Sequence, residues 1–334
     1  MAVIGTLLSL LVFFALFGIF LTQYVPLWMT DNEAQFTSAA ATSFIEFKGG
    51  IDSQYALGLP PSLGTPFTIS SAGVPLIAQP TEGTLTFLPS TCPAGFLVKS
   101  ATTTYNFGQP ANPHYCVFEN QTLSTGPGGS GPYYQKVATG VLTMQLPNRY
   151  YASQTFYYED DGVIQSQSQG YQVMAFAPPF NVTSLAGNTT ISSSFLQLVG
   201  NATSVIGQGS EEVYSHLRFS QMVTSNGKVS TSNPTGRFNY TFEIGTQYPC
   251  AWSKFLYSQM NISGVPYVTN PALGVTSYNS TNLWNTTHLQ TVPYTGSCYN
   301  PSGSTTVLAL NLNAVNYAVL FYAGVQVTIG VGST

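Results

Sequence analysis

The chain has 334 residues with 8 Lys and Arg against 12 Asp and Glu, a net charge of −4, and charged residues at only 6% of the total, against roughly 25% in ordinary soluble domains. Hydrophobic residues at 44% and aromatics at 13% point to a packed fold rather than disorder. The scattered basic residues make no patch for a polyanion, so nucleic acid is excluded as an expected partner.

The first 29 residues, MAVIGTLLSLLVFFALFGIFLTQYVPLWM, carry no charge; the first is Asp31. About 22 such residues in a helix span about 33 Å, enough for a bilayer core. A cleaved secretory signal has a basic start and a shorter apolar run, and a signal anchor has Lys or Arg on its cytoplasmic flank; neither precedes Lys48. The segment therefore reads as an export helix whose basic leader has been removed. Leu7, Leu8, Leu11, Phe14, Phe17 and Phe20 are its expected assembly residues, with a membrane anchor as the competing reading.

Downstream, Phe36, Ala40, Phe44, Phe47, Ile51 and Tyr55 recur at spacings of three and four and predict an amphipathic continuation. Pro26 should kink or break the helix. Gly58, followed by Pro60 and Pro61, should end it. Residues 1–57 form the first unit, an apolar helix, and 58–334 the second, a β-rich exterior, with a weak composition boundary near 176–190.

Beyond 58, alternation predicts strands. Leu85 and Phe87 alternate with Thr84 and Thr86; Leu142, Met144 and Leu146 with Thr143 and Gln145; Tyr171, Val173 and Ala175 with Gln172 and Met174. Phe238, Tyr240 and Phe242 alternate with Asn239, Thr241 and Glu243. Residues 305–312 and 316–322 read as buried strands, and Val325, Val327, Ile329 and Val331 complete the set. No convincing helical period follows residue 59. The expected class is α+β, a long N-terminal helix followed by an antiparallel, sandwich-like body.

Cys92, Cys116, Cys250 and Cys298 allow three pairings. Nearest-neighbour bonds, Cys92–Cys116 and Cys250–Cys298, are favoured, and disulfides imply an oxidising exterior. Glycosylation sequons begin at Asn120, Asn181, Asn188, Asn201, Asn239, Asn261, Asn279 and Asn285. Chance accounts for some of them; several should carry N-linked glycan.

Catalytic patterns are missing from the sequence. His114, His216 and His288 are isolated, no nucleophile elbow occurs, and GPGGSG at 126–131 lacks the Lys of a phosphate loop. Glu159, Asp160 and Asp161 lack the spacing of a calcium loop and read as a solvated turn. No enzyme activity, cofactor or metal is expected. A surface of hydroxyls and amides loses little when carboxylates protonate, which suggests an acidic or otherwise harsh medium.

The opening IGTLLSLLVFFA at 4–15 resembles the mature N-termini of archaeal archaellins and type IV pilins. FIEFKGGIDSQYALG at 44–58, PTEGTLTF at 80–87, GVIQSQSQGYQVMAFAPPFNV at 162–182 and YAGVQVTIGVGS at 322–333 are similar to segments of archaeal pilin-like surface proteins. Gly5 departs from bacterial pilins, which carry a glutamate near there. The resemblance implies export as a prepilin, residence in the membrane before assembly, polymerisation with copies of itself through the helix, and an extracellular cell-surface filament serving adhesion or motility. A membrane-anchored cell-envelope protein is the alternative.

Overall fold

The computed structural model describes residues 2–58, 61–74, 77–90, 117–124, 133–167, 170–185, 188–226, 236–263, 290–291 and 306–330. One helical rod opens the chain: α1 over Ala2–Ile19, a π-helical turn over Phe20–Tyr24, and α2 over Val25–Leu57. Pro26 does not break it. Proline has no N–H to donate, and its ring conflicts with the carbonyl four residues back. Here the turn before it is wider, with the Val25 N–H bonded to the Phe20 carbonyl, and that extra residue lets the helix run on. Gly58 ends the rod in the left-handed region (φ 59°), where a residue with a Cβ is disfavoured.

The sixteen strands of the described residues form three sheets. The first is ordered β1 (Leu63–Thr68), β12 (Ser210–Asn226), β16 (Tyr317–Ile329), β10 (Asn188–Val199) and β9 (Phe180–Leu185). The second is ordered β11 (Thr203–Ile206), β2 (Thr84–Leu88), β5 (Val141–Leu146), β6 (Gln154–Glu159), β7 (Gly162–Gln167) and β8 (Gln172–Phe176). The third is ordered β14 (Gln290–Thr291), β15 (Thr306–Val315), β13 (Phe238–Thr246), β3 (Val117–Leu123) and β4 (Tyr133–Thr139). Pairing is not purely antiparallel as expected: β10 runs parallel to β16, and β14 to β15. The last long strand inserts between β12 and β10, a choice no local sequence pattern encodes.

Two cores lie on opposite faces of the first sheet. In β16, Ala323, Val325, Val327 and Ile329 enter one core, and Ala318 and Leu320 the other. In β10, Leu196 and Leu198 enter the first and Ile191 the second. Odd and even positions of a strand face opposite sides, so one sheet is a wall common to both cores. The stripe predicted on α2 lies in the first of them: Phe36, Ala40, Phe44, Phe47 and Ile51 are all buried there, and Tyr55 packs at its margin. Phe44 meets Phe67 edge-on at 5.1 Å and stacks on Phe156 at 5.8 Å. Phe44→Ala should therefore cost about 3–5 kcal/mol, read as a lowered denaturant midpoint with an unchanged slope.

The second core holds an element the sequence pattern missed, α3 over Pro249–Ser263. Its buried positions include five in succession, Pro249, Cys250, Ala251, Trp252 and Ser253, before Phe255, Leu256 and Met260. So broad a buried face, half of it small or polar, blurs the helical period. The alternation read in β13 and β16 matches the burial, with Val331 outside the described residues. In β8 it does not: Tyr171, just before the strand, is exposed and Gln172 buried, while Met174 packs on the second core and Ala175 and Phe176 on the first, so both faces are partly covered.

Candidate functional site

The rod leaves the body at Val25, its first buried residue. Residues 3–24 are not covered by any other part of the described chain, and Leu7, Leu8, Leu11 and Phe14 are each 59–69% exposed. Phe17 is also exposed, while Phe20 is half-buried against Tyr24 and Trp28. Exposure is not confined to those six. Val3, Ile4, Leu10, Val12, Phe13, Leu16 and Ile19 are equally open, so the helix is apolar on every side. Mean hydropathy reaches 2.6 in an 18-residue window, none of it buried. A surface of this kind, far larger than the apolar patches of ordinary monomers, requires a partner surface or lipid.

Beside the buried stripe of α2, one acid ties the rod to the body. Glu33 is fully buried. Its carboxylate accepts the Thr81 hydroxyl at 2.6 Å and the backbone N–H groups of Arg149 at 3.0 Å, Tyr150 at 2.7 Å and Tyr151 at 2.7 Å. Burial pushes the Glu33 carboxyl up, but these four donors together outweigh it and hold the group below the usual carboxylate range. Three amides of the β5–β6 connection thus converge on one side chain of α2. Glu33→Ala leaves those amides without their acceptor, at about 1–3 kcal/mol each if they stay dry. Faster protease cleavage within residues 147–153 would report it, with no change in the secondary structure of the remainder.

A second junction lies at the turn between β6 and β7. Asp160 and Asp161 both have positive φ (46° and 59°), the geometry of a two-residue hairpin turn whose twist suits its strands. The expected solvated turn is instead buried: Glu159, Asp160 and Asp161 are each less than 5% exposed. Long-range packing, absent from local sequence, closes over them. Glu159 accepts the Trp252 indole N–H at 2.7 Å and the Thr246 hydroxyl, which ties in α3 and β13. Asp160 faces Glu119 of β3 as a carboxyl pair and accepts the Leu196 N–H at 3.3 Å. Asp161 accepts Lys48 of α2 at 2.9 Å and the Tyr158 hydroxyl at 2.8 Å. Lys48 also reaches Asp52 at 3.1 Å. Burial pushes Glu159 and Asp161 each up to about 7. Burial and their mutual repulsion raise Glu119, and burial raises Asp160. Among the described residues no group of three His, Cys, Asp or Glu side chains is placed to hold a metal ion.

The other predicted site residues are dispersed. Asn181, Asn188, Asn201, Asn239 and Asn261 are all exposed. Asn120 lies in β3, and Asn279 and Asn285 fall outside the described residues. Cys250 in α3 is disulfide-bonded. Cys92, Cys116 and Cys298 lie outside the described residues, as do His114 and His288, so the pairing is not fixed; His216 lies in β12. Glu33 and the buried acidic turn were not read as sites in the sequence. An isolated acid inside an apolar helical stripe, and a run of acids at the end of an aromatic strand, were the signals available. Comparison with protein-family models, with curated proteins and with solved structures finds no match.

Proposed function

We propose that the chain is the structural subunit of an extracellular type IV pilus-like filament, assembled by burying residues 3–24 among copies of the same helix. The observation that carries this is the bare helix, apolar on every side and joined without a break to a packed body. Burying one valine, leucine, isoleucine or phenylalanine contributes about 1.5–3 kcal/mol, and a dozen stand open between Val3 and Ile19. A head-to-tail arrangement that does not close on itself gives a helical fibre. The resemblance of residues 4–15 to archaeal pilin and archaellin N-termini supports the same reading.

The β-rich body then faces outward as a sandwich-like, glycosylated exterior with a role in adhesion or motility rather than catalysis. The exposure of five sequon asparagines favours this, because a transferase reaches only open side chains. Asn239→Gln is expected to remove the mass of one glycan from protein isolated from its native source, since Asn239 stands on the open face of β13 beside buried Phe238 and Tyr240. The mean hydropathy of the arm favours a second reading, a cell-envelope protein anchored in the membrane by the same helix. Electron microscopy of purified protein separates them: fibres support the filament, and monomers that need detergent support the anchor.

A further inference from the structure

Side-chain chemistry changes in order along the rod. Through Leu21 it is apolar but for Thr6 and Ser9; Thr22 and Gln23 follow, then Tyr24 and Trp28 at 52% and 45% exposure; the first charge, Asp31, lies one turn further on. Phe20 stacks on Tyr24 at 6.0 Å and meets Trp28 edge-on at 5.5 Å, so the three rings share one face. A separate segment adds to them. The Glu33 bonds to the N–H groups of Arg149, Tyr150 and Tyr151, with the Tyr150 carbonyl 3.4 Å from the Thr30 hydroxyl, hold the β5–β6 connection against the next turn of α2. Arg149, Tyr150 and Tyr151 are all exposed there. Four amphipathic rings and a guanidinium thus stand exposed on segments anchored within about two turns of the place where the bare helix enters the body.

We infer that this collar is a docking surface for the headgroup layer of a lipid bilayer. It seats the unassembled subunit with residues 3–24 across the hydrocarbon and the body against the membrane face. The inference rests on the reading that the helix lodges in a membrane before assembly. Residues 3–24 make about 33 Å of helix against about 30 Å of hydrocarbon. The rings with N–H and O–H groups then fall at the depth where tryptophan and tyrosine are favoured, each with an apolar ring inward and a polar edge outward. The sequence apolar, amphipathic, charged along one axis is the profile of a bilayer leaflet, and a copy of the apolar helix has no use for the hydroxyls and guanidinium. Glu33 acquires a role here: it fixes a body loop to the rod about 8 Å beyond Trp28.

The test uses the full chain in phosphatidylcholine vesicles whose acyl chains carry bromine either near the headgroups or near the bilayer centre. Subtracting the emission of Trp28→Phe isolates Trp28. Shallow bromines are expected to quench it several-fold more than deep ones. Tyr150→Ser combined with Tyr151→Ser keeps both N–H bonds to Glu33 and is expected to narrow that ratio at unchanged near-ultraviolet dichroism. No quenching, deep quenching, or a ratio indifferent to the tyrosines overturns the collar. Fibre formation is scored on the same samples after detergent transfer. Fibres without shallow quenching sink the collar alone; shallow quenching without fibres upholds the collar and sinks the filament.

Discussion

Removing residues 1–24 is expected to turn a protein that assembles or demands detergent into a soluble monomer with an intact body. The cut falls before Val25, the first buried residue of α2, so it removes no side chain from either core. Met29, Glu33, Phe36 and the rest of the stripe keep their partners. The truncated chain should melt within a few degrees of the full one and sediment as one copy. Loss of folding would show that the arm is part of the body, and retained polymerisation would show that assembly lies elsewhere. Because more than a dozen exposed apolar side chains are removed together, at about 1.5–3 kcal/mol each when buried, the expected change in self-association is many orders of magnitude.

The second large effect is on stability with pH, and its sign follows from the buried turn. Glu159 and Asp161 are raised to about 7, and Glu119 and Asp160 are raised as well. Between the ordinary carboxylate range near 4 and about 7, the folded chain therefore holds protons that the unfolded chain releases. Their contribution is complete below the unfolded values and is lost as pH climbs through the folded ones. Glu33, held low, acts the other way and weakens the fold only as pH drops through its own depressed value. One lowered acid stands against four raised ones, so stability should peak in mild acid. Glu159 moves from its ordinary 4.5 to about 7; at about 1.4 kcal/mol per pH unit, that is on the order of 3 kcal/mol between pH 4.5 and pH 8. Denaturant midpoints at those two values should differ clearly, with the acid one higher. Glu159→Gln keeps an acceptor for Trp252 without a titrating group and should flatten part of the slope. A midpoint that rises with pH would contradict the assignment. A midpoint highest in mild acid would agree with the acidic medium expected from a surface poor in charge.

What could be read in the sequence was whatever repeats locally. The stripe from Phe36 to Ile51, the stop at Gly58, and the alternation of β13 and β16 depend on residues a few positions apart, and burial follows them. What could not be read depends on distant chain. Glu33 is one acid in an apolar stripe until three amides from 149–151 close on it. The acids at 159–161 look like a solvated turn until α2, β3, β10 and α3 cover them. The parallel pairing of β10 with β16 joins strands far apart in sequence. The apolar arm was legible in composition alone, but where it leaves the body was not, because Pro26 marks a wide turn and the body's first contact comes at Val25.

What surrounds residues 3–24 in the purified protein decides between filament and anchor. A helical reconstruction of the purified protein by electron cryomicroscopy answers this directly. It should place Leu7, Leu11, Phe14 and Phe17 of each copy against the same stretch of neighbouring copies, in a protein-lined rod with the β-rich bodies outside. Density showing those side chains in lipid or detergent around single molecules, or laid back on their own body, would contradict it.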